Sequence, residues 1–201
     1  MRQINTLKRS VHTHLVSPAL NLGQHLTRGL HTFGVRTDGV AAVEFALIFP
    51  LMISLYFGAV ELGNGLLVNR KATNVASTAS DLVAQVDIIN NADIADVFAA
   101  SSAILSPFDS SSIVITISSV VTELDGTTEV AWSDSMNGTP RAEGERISLP
   151  PGVATPGSSV IWAEVDYTYV SPIGKYLTGG ITIEDDFYAR PRRSIEVLRT
   201  P

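Results

Sequence analysis

The sequence contains no cysteine. Disulfide frameworks, thiolate metal centres and thiol nucleophiles are therefore excluded, while the redox compartment stays open because an extracytoplasmic chain can do without disulfides. Histidine is scarce and confined: His12, His14, His25 and His31 all fall within the first 39 of 201 residues. Everything downstream lacks the side chain most used for general acid-base work and neutral metal ligation. Charged residues make up only 17% of the chain against 45% hydrophobic ones, a balance that excludes disorder as the main theme and fits a globular or membrane-associated protein. A net charge of -6 argues against a polyanion binder, so no nucleic-acid partner is expected. That average hides a division. Arg2, Lys8, Arg9, Arg28 and Arg36 against Asp38 give residues 1–39 a charge of +4, which leaves -10 for the rest.

Between the basic head and the acidic body runs VAAVEFALIFPLMISLYFGAV, residues 40–60, with one ionisable group and one proline. As a helix rising about 1.5 Å per residue it reaches roughly 31 Å, the thickness of a bilayer hydrocarbon core. A buried core helix or the apolar part of a secretory signal is the alternative, but signal peptides carry a shorter apolar region of about 7–15 residues. The basic head favours a cytoplasmic N-terminus and an extracytoplasmic body. After Glu61 a narrow stripe of Val68, Ala72, Val75, Ala79, Leu82, Val86 and Ile89 recurs at spacings of four and three, so the helix is expected to outlive the membrane. Its small residues point to packing on the protein's own sheet rather than to a coiled coil. A second helix is expected over 94–105, ending before Pro107.

From residue 112 the period changes to two. Ile113, Ile115, Ile117 and Val121 alternate with polar or smaller neighbours, Asp125-Gly126 suits a tight turn, and a returning strand runs from Glu129 to Trp132. Residues 133–158 read as a long exposed connection. Ile161, Ala163, Val165, Tyr167 and Tyr169 form another alternating face, followed by Ile181, Ile183 and Phe187, with Ile195 and Val197 as a short last strand. One apolar sheet face needs a cover, and the amphipathic helix supplies it. The fold class expected is α+β, a long N-terminal helix packed on a small, mainly antiparallel β-sheet, with strand order not readable.

Glu44 is the anomaly. It stands inside the apolar run, where a carboxylate costs about 2.5–3.5 kcal/mol on insertion scales unless interfacial, protonated or paired. A cut after Gly39 would make Val40 a new N-terminus, and the freed amine of one copy would lie in reach of Glu44 of a neighbour, where an opposite charge within about 4–6 Å favours the ionised carboxylate.

Gly39 followed by VAAVEF resembles the cleavage and assembly signal of type IV prepilins, with glutamate fifth after the cut. The longer stretch GVAAVEFALIFPLMISLYFGAVELGNGLLVNRKATNVASTASDLVAQ is similar to the TadE-like family of tight-adherence (Flp-type) pilus assembly proteins, with Gly39, Glu44, Phe45, Pro50, Glu61, Leu62 and Gly63 on the family pattern. The resemblance implies a non-enzymatic minor pseudopilin with a pilin-like fold and no cofactor or metal. It implies a prepilin peptidase cutting between Gly39 and Val40, and registry contacts at Glu44 and Phe45. The implied partners are a major Flp-type pilin, other pseudopilins and the lipid of a bacterial inner membrane. The division expected is a basic leader over 1–39, a transmembrane helix over 40–62, a helical stalk over 63–106 and a periplasmic β-rich head over 107–201. The alternative is a single-span cell-envelope protein, not cleaved, whose extracytoplasmic domain binds a ligand.

Weaker features read blandly. Glu61 is a solvated helix-end carboxylate, with interhelical pairing in an assembly as its functional alternative. Glu184, Asp185 and Asp186 lack the spacing of a calcium loop and suit a solvated strand end. Arg190, Arg192 and Arg193 suit edge protection more than partner binding. Ser171 with Lys175 lacks the surroundings of a catalytic dyad. Asp109-Ser110-Ser111-Ser112-Ile113 misses the adhesion-domain DxSxS signature at its last position.

Overall fold

The computed structural model describes residues 39–153, 155–171 and 180–201. Residues 1–38, which hold the four histidines and all but the last residue of the expected basic leader, and Lys175 lie outside them. The chain divides into two compact units, Met1–Ile53 and Ser54–Pro201. In the first, the described chain is a turn at Gly39 followed by the start of helix α1 (Val40–Ala84), and every residue of it is exposed.

In the second unit α1 changes character at Val68. From there Val68, Ala72, Val75, Ala76, Ala79, Ser80, Val83 and Ala84 are buried, at spacings that put them on one helix face. The small side chains let that face approach the sheet, and the same cluster takes in Ile113, Ile115, Ile117, Ile161, Ala163 and Val165. The expected stripe therefore packs on the protein's own sheet. It does not reach Ile89, because α1 ends at Ala84 and Ile88–Ile89 form strand β1. The Arg192 backbone N–H donates to the Ala84 carbonyl at 2.9 Å and satisfies one of the free acceptors of the last turn.

Helix α2 (Asn91–Ala103) starts where its capping residues place it. The Asn90 side chain accepts from the backbone N–H of Ala92 (2.8 Å) and Asp93 (3.0 Å), and Asp93 accepts in return from the Asn90 N–H (3.1 Å). At its other end Lys71 Nζ, reaching over from α1, donates to the carbonyls of Ile104 (2.8 Å) and Ser106 (2.7 Å).

Strands β2 (Val114–Thr122), β3 (Thr128–Met136), β4 (Ser158–Tyr169) and β5 (Ile181–Ala189) form an antiparallel sheet in the order β3-β2-β4-β5. Helix on sheet gives the expected α+β, pilin-like arrangement. The apolar alternation of β2 holds through Ile117, but the β2–β3 register slips between Ser119 and Val120. The extra residue is Ala131 on β3, so Val130 joins Val120 and Val160 on the sheet face turned away from α1, while Val121, expected on the apolar face, is only half-buried.

Two expectations are corrected at the sheet margins. The connection after Trp132 is not simply exposed: β3 continues to Met136, and the chain beyond folds back along it. Val130 N–H donates to Glu145 O (3.0 Å), Gly144 N–H to Val130 O (2.8 Å) and Ile147 N–H to Thr128 O (3.1 Å). The last strand is β6 (Leu198–Arg199), which pairs in parallel with β1 rather than joining the main sheet. Ile195 is exposed and Val197 is buried, its carbonyl accepting from Trp132 Nε1 at 2.7 Å.

Candidate functional site

The residues singled out in the sequence lie on the first turns of α1 and carry no fold of their own. An ideal Cβ at Gly39 would meet nothing within 4 Å, and Gly39 is not among the positive-φ residues, so neither close packing nor backbone conformation requires glycine there. Val40 is 52% exposed, and Glu44 is exposed with no ion pair or hydrogen bond among the described residues. Phe45 is exposed, its ring centroid 5.2 Å from that of Phe49 on the next turn.

Residues 40–60 are exposed without exception, Leu47, Leu51, Leu55 and Tyr56 among them. α1 is long and apolar enough to cross a membrane, and none of its most apolar window is buried. Soluble monomers rarely leave a contiguous apolar surface of this extent uncovered. Pro50 sits inside the helix, where its missing N–H removes one backbone donor. Glu61, half-exposed, closes the run and lines a groove with Leu62, Leu66, Tyr169 and Ile181.

The weaker features fall into structural roles. Glu184, Asp185 and Asp186 lie within β5 and not at a strand end; Asp185 accepts a hydrogen bond from Thr73 Oγ1 and fastens the strand to α1. Arg192 clasps Asp81 on α1, and Arg190 Nη2 donates to Thr155 Oγ1 at 3.0 Å. These two arginines hold α1 and the loop before β4 instead of guarding a strand edge. Asp109 accepts from the N–H (2.9 Å) and hydroxyl (2.8 Å) of Ser111, and those bonds hold its carboxyl below the usual value.

Sequence reasoning missed one cluster on the outer sheet face. Arg141, from the loop after β3, makes a two-pronged pair with Glu164 (2.6 and 3.2 Å) and sits 4.2 Å from the ring centroid of Trp162, which stacks on Tyr188 at 5.7 Å. Burial raises the Glu164 carboxyl and Arg141 counters it; burial, then the Asp186 carboxylate, raises the Tyr188 phenol. The alternation of Trp162, Glu164 and Asp166 in β4 marks an outward face, but nothing in the loop composition assigns Arg141 to it.

Comparison with curated proteins finds no match, and comparison with solved structures finds none. The comparison with protein families converges on the same exposed helix and the first part of the buried stripe: residues 39–81 match the family described as TadE-like protein, which implies a part in tight-adherence pilus assembly.

Proposed function

We propose that this chain is a minor pseudopilin of a tight-adherence (Flp-type) type IV pilus. In this reading residues 40–62 anchor it in a bacterial inner membrane, with residues 1–39 cytoplasmic and the stalk and head, 63–106 and 107–201, in the periplasm. A prepilin peptidase hydrolyses the Gly39–Val40 peptide bond, leaving a carboxylate on the leader and a free amine on Val40. The body acts by assembly and not by catalysis, meeting a major pilin and other pseudopilins through its apolar helix.

The observation that carries the reading is Glu44, an exposed carboxylate on an otherwise apolar helix with no partner among the described residues. Its insertion cost of about 2.5–3.5 kcal/mol is offset when an ammonium from an adjacent subunit comes within about 4–6 Å. Phe45, beside it and equally uncovered, supplies apolar contact to the same neighbour. Gly39 supports the cleavage, since a glycine that the fold does not require is free to serve a protease that reads small residues.

Mass determination of the mature membrane protein tests the cut: a chain beginning at Val40 is expected, and Met1 retained in functional material would instead indicate an uncleaved cell-envelope anchor. Glu44→Ala is expected to be cleaved and inserted yet absent from assembled pilus complexes. Wild-type assembly by that variant would remove the registry role.

A further inference from the structure

The apolar surface does not stop where the membrane span does. Leu62 is 66% and Leu66 64% exposed, both beyond Glu61, and no charged residue stands on α1 between Glu61 and Arg70. On the sheet side the end of β4 and the start of β5 face it, where Tyr169 pairs with Ile181 and Ile181 is 52% exposed. Together they border a groove of about 630 Å³, lined also by Gly58, Gly65 and Ile183. An ideal Cβ at Gly58 or Gly65 would meet nothing within 4 Å, so at both points the helix backbone itself is the groove floor.

We infer that this groove beds in the interfacial layer of the bilayer and is filled by the glycerol and upper acyl portion of a phospholipid. The inference rests on the membrane reading proposed above and adds the head to the lipid contact. With Glu61 at the edge of the hydrocarbon, Leu62 and Leu66 lie one and five residues further, about 1.5 and 7.5 Å along the axis. The polar layers on either side of a hydrocarbon core of about 30 Å are each about 5–7.5 Å thick. The groove therefore runs from the hydrocarbon edge at Gly58 across the polar layer to Leu66, the depth range in which apolar faces of interfacial helices settle. Its chemistry suits that depth. The walls are leucine, isoleucine and Tyr169, the polar groups are Glu61 and Asn69, and tyrosine is enriched at membrane interfaces. Lipid is the occupant favoured over a second copy because the groove opens directly onto the uncovered apolar run and needs no further chain to reach it.

The native chain has no cysteine, so single-cysteine variants report position without a background. Full-length Leu66→Cys, Ile181→Cys, Leu47→Cys and Leu124→Cys, all at exposed positions, are labelled with bimane. They are reconstituted in phosphatidylethanolamine-phosphatidylglycerol vesicles containing lipid brominated in the upper acyl chain. At least twofold quenching is expected at Leu47, Leu66 and Ile181, unchanged as protein is diluted in lipid, with none at Leu124 on the distal hairpin. Quenching at Leu47 without quenching at Leu66 and Ile181 leaves the anchor standing and overturns the inference. Quenching at Leu66 that develops only on dilution also overturns it, by showing that another copy fills the groove. Absence of quenching at Leu47 removes the anchor and the inference with it.

Discussion

Gly39→Ala separates recognition from folding. The added methyl would meet nothing within 4 Å, the position is not held at positive φ, and it stands just before α1 and not inside it. The structural effect should then stay within about 0.5 kcal/mol, as for an exposed substitution. An energy of that size changes any equilibrium by only about twofold, whereas tenfold needs about 1.4 kcal/mol. A tenfold or larger loss of processing must therefore arise where the peptidase holds the Cα of Gly39, not in the substrate's own fold. The assay is co-expression of the full chain with a prepilin peptidase, with intact mass giving the ratio of precursor to product over time and thermal unfolding in detergent giving stability. The expected result is accumulated precursor, correctly inserted, with an unchanged midpoint. Processing within twofold of wild type would refute the assignment of Gly39, and a large drop in stability would refute the structural reasoning.

Lys71→Met should lose about 2 kcal/mol, because the carbonyls of Ile104 and Ser106, just past the end of α2, forfeit charge-assisted bonds of 2.8 and 2.7 Å; the urea midpoint in detergent measures it. Gly138→Ala should cost about 1–3 kcal/mol by the same assay, since its Cβ would stand 2.6 Å from Val114 Cγ1 and 2.8 Å from Ser135 Oγ. Tyr188 is raised from its ordinary 10.0 by burial and then by Asp186, so the folded state holds the phenol proton more tightly than the unfolded one. Its contribution is full below pH 10.0 and is lost as pH rises from there towards the folded value. Unfolding midpoints against pH should fall in that window for wild type and fall less for Tyr188→Phe.

Long, strongly patterned segments were legible because one physical requirement governs each of them. The run over 40–60 reads as a membrane helix since nothing but lipid or protein interior accepts it, and the stripe from Val68 to Ala79 reads as a packing face since its small residues recur with the helix period. Less was legible where tertiary partners override the local pattern. Val86 and Ile89 continue the helical spacing, yet Ile88–Ile89 are drawn into a ladder with Leu198–Arg199, a pairing no local rule announces. The register slip in β2–β3 turns Val130 to the sheet face opposite Trp132, and Arg141 crosses from a Gly- and Pro-rich loop to Glu164, both outcomes of long-range geometry. At the candidate site the position is reversed. Gly39, Glu44 and Phe45 are exposed and hold no ion pair among the described residues, so their pattern in the sequence already holds nearly all that the chain alone can say about them.

The clasp at the far end of α1 bears on the order in which this head can be completed. Leu198 docks on Ile88, Val197 receives the Trp132 indole, and Arg192 closes the exit of the helix, so the last partners of residues near 84–89 are made more than a hundred positions later. Synthesis runs from the N-terminus, and closing so long a loop adds an entropic delay that local turns do not incur. During synthesis the helix and the hairpins can form as they emerge, but the seal at the C-terminal end of α1 waits for the final stretch to arrive.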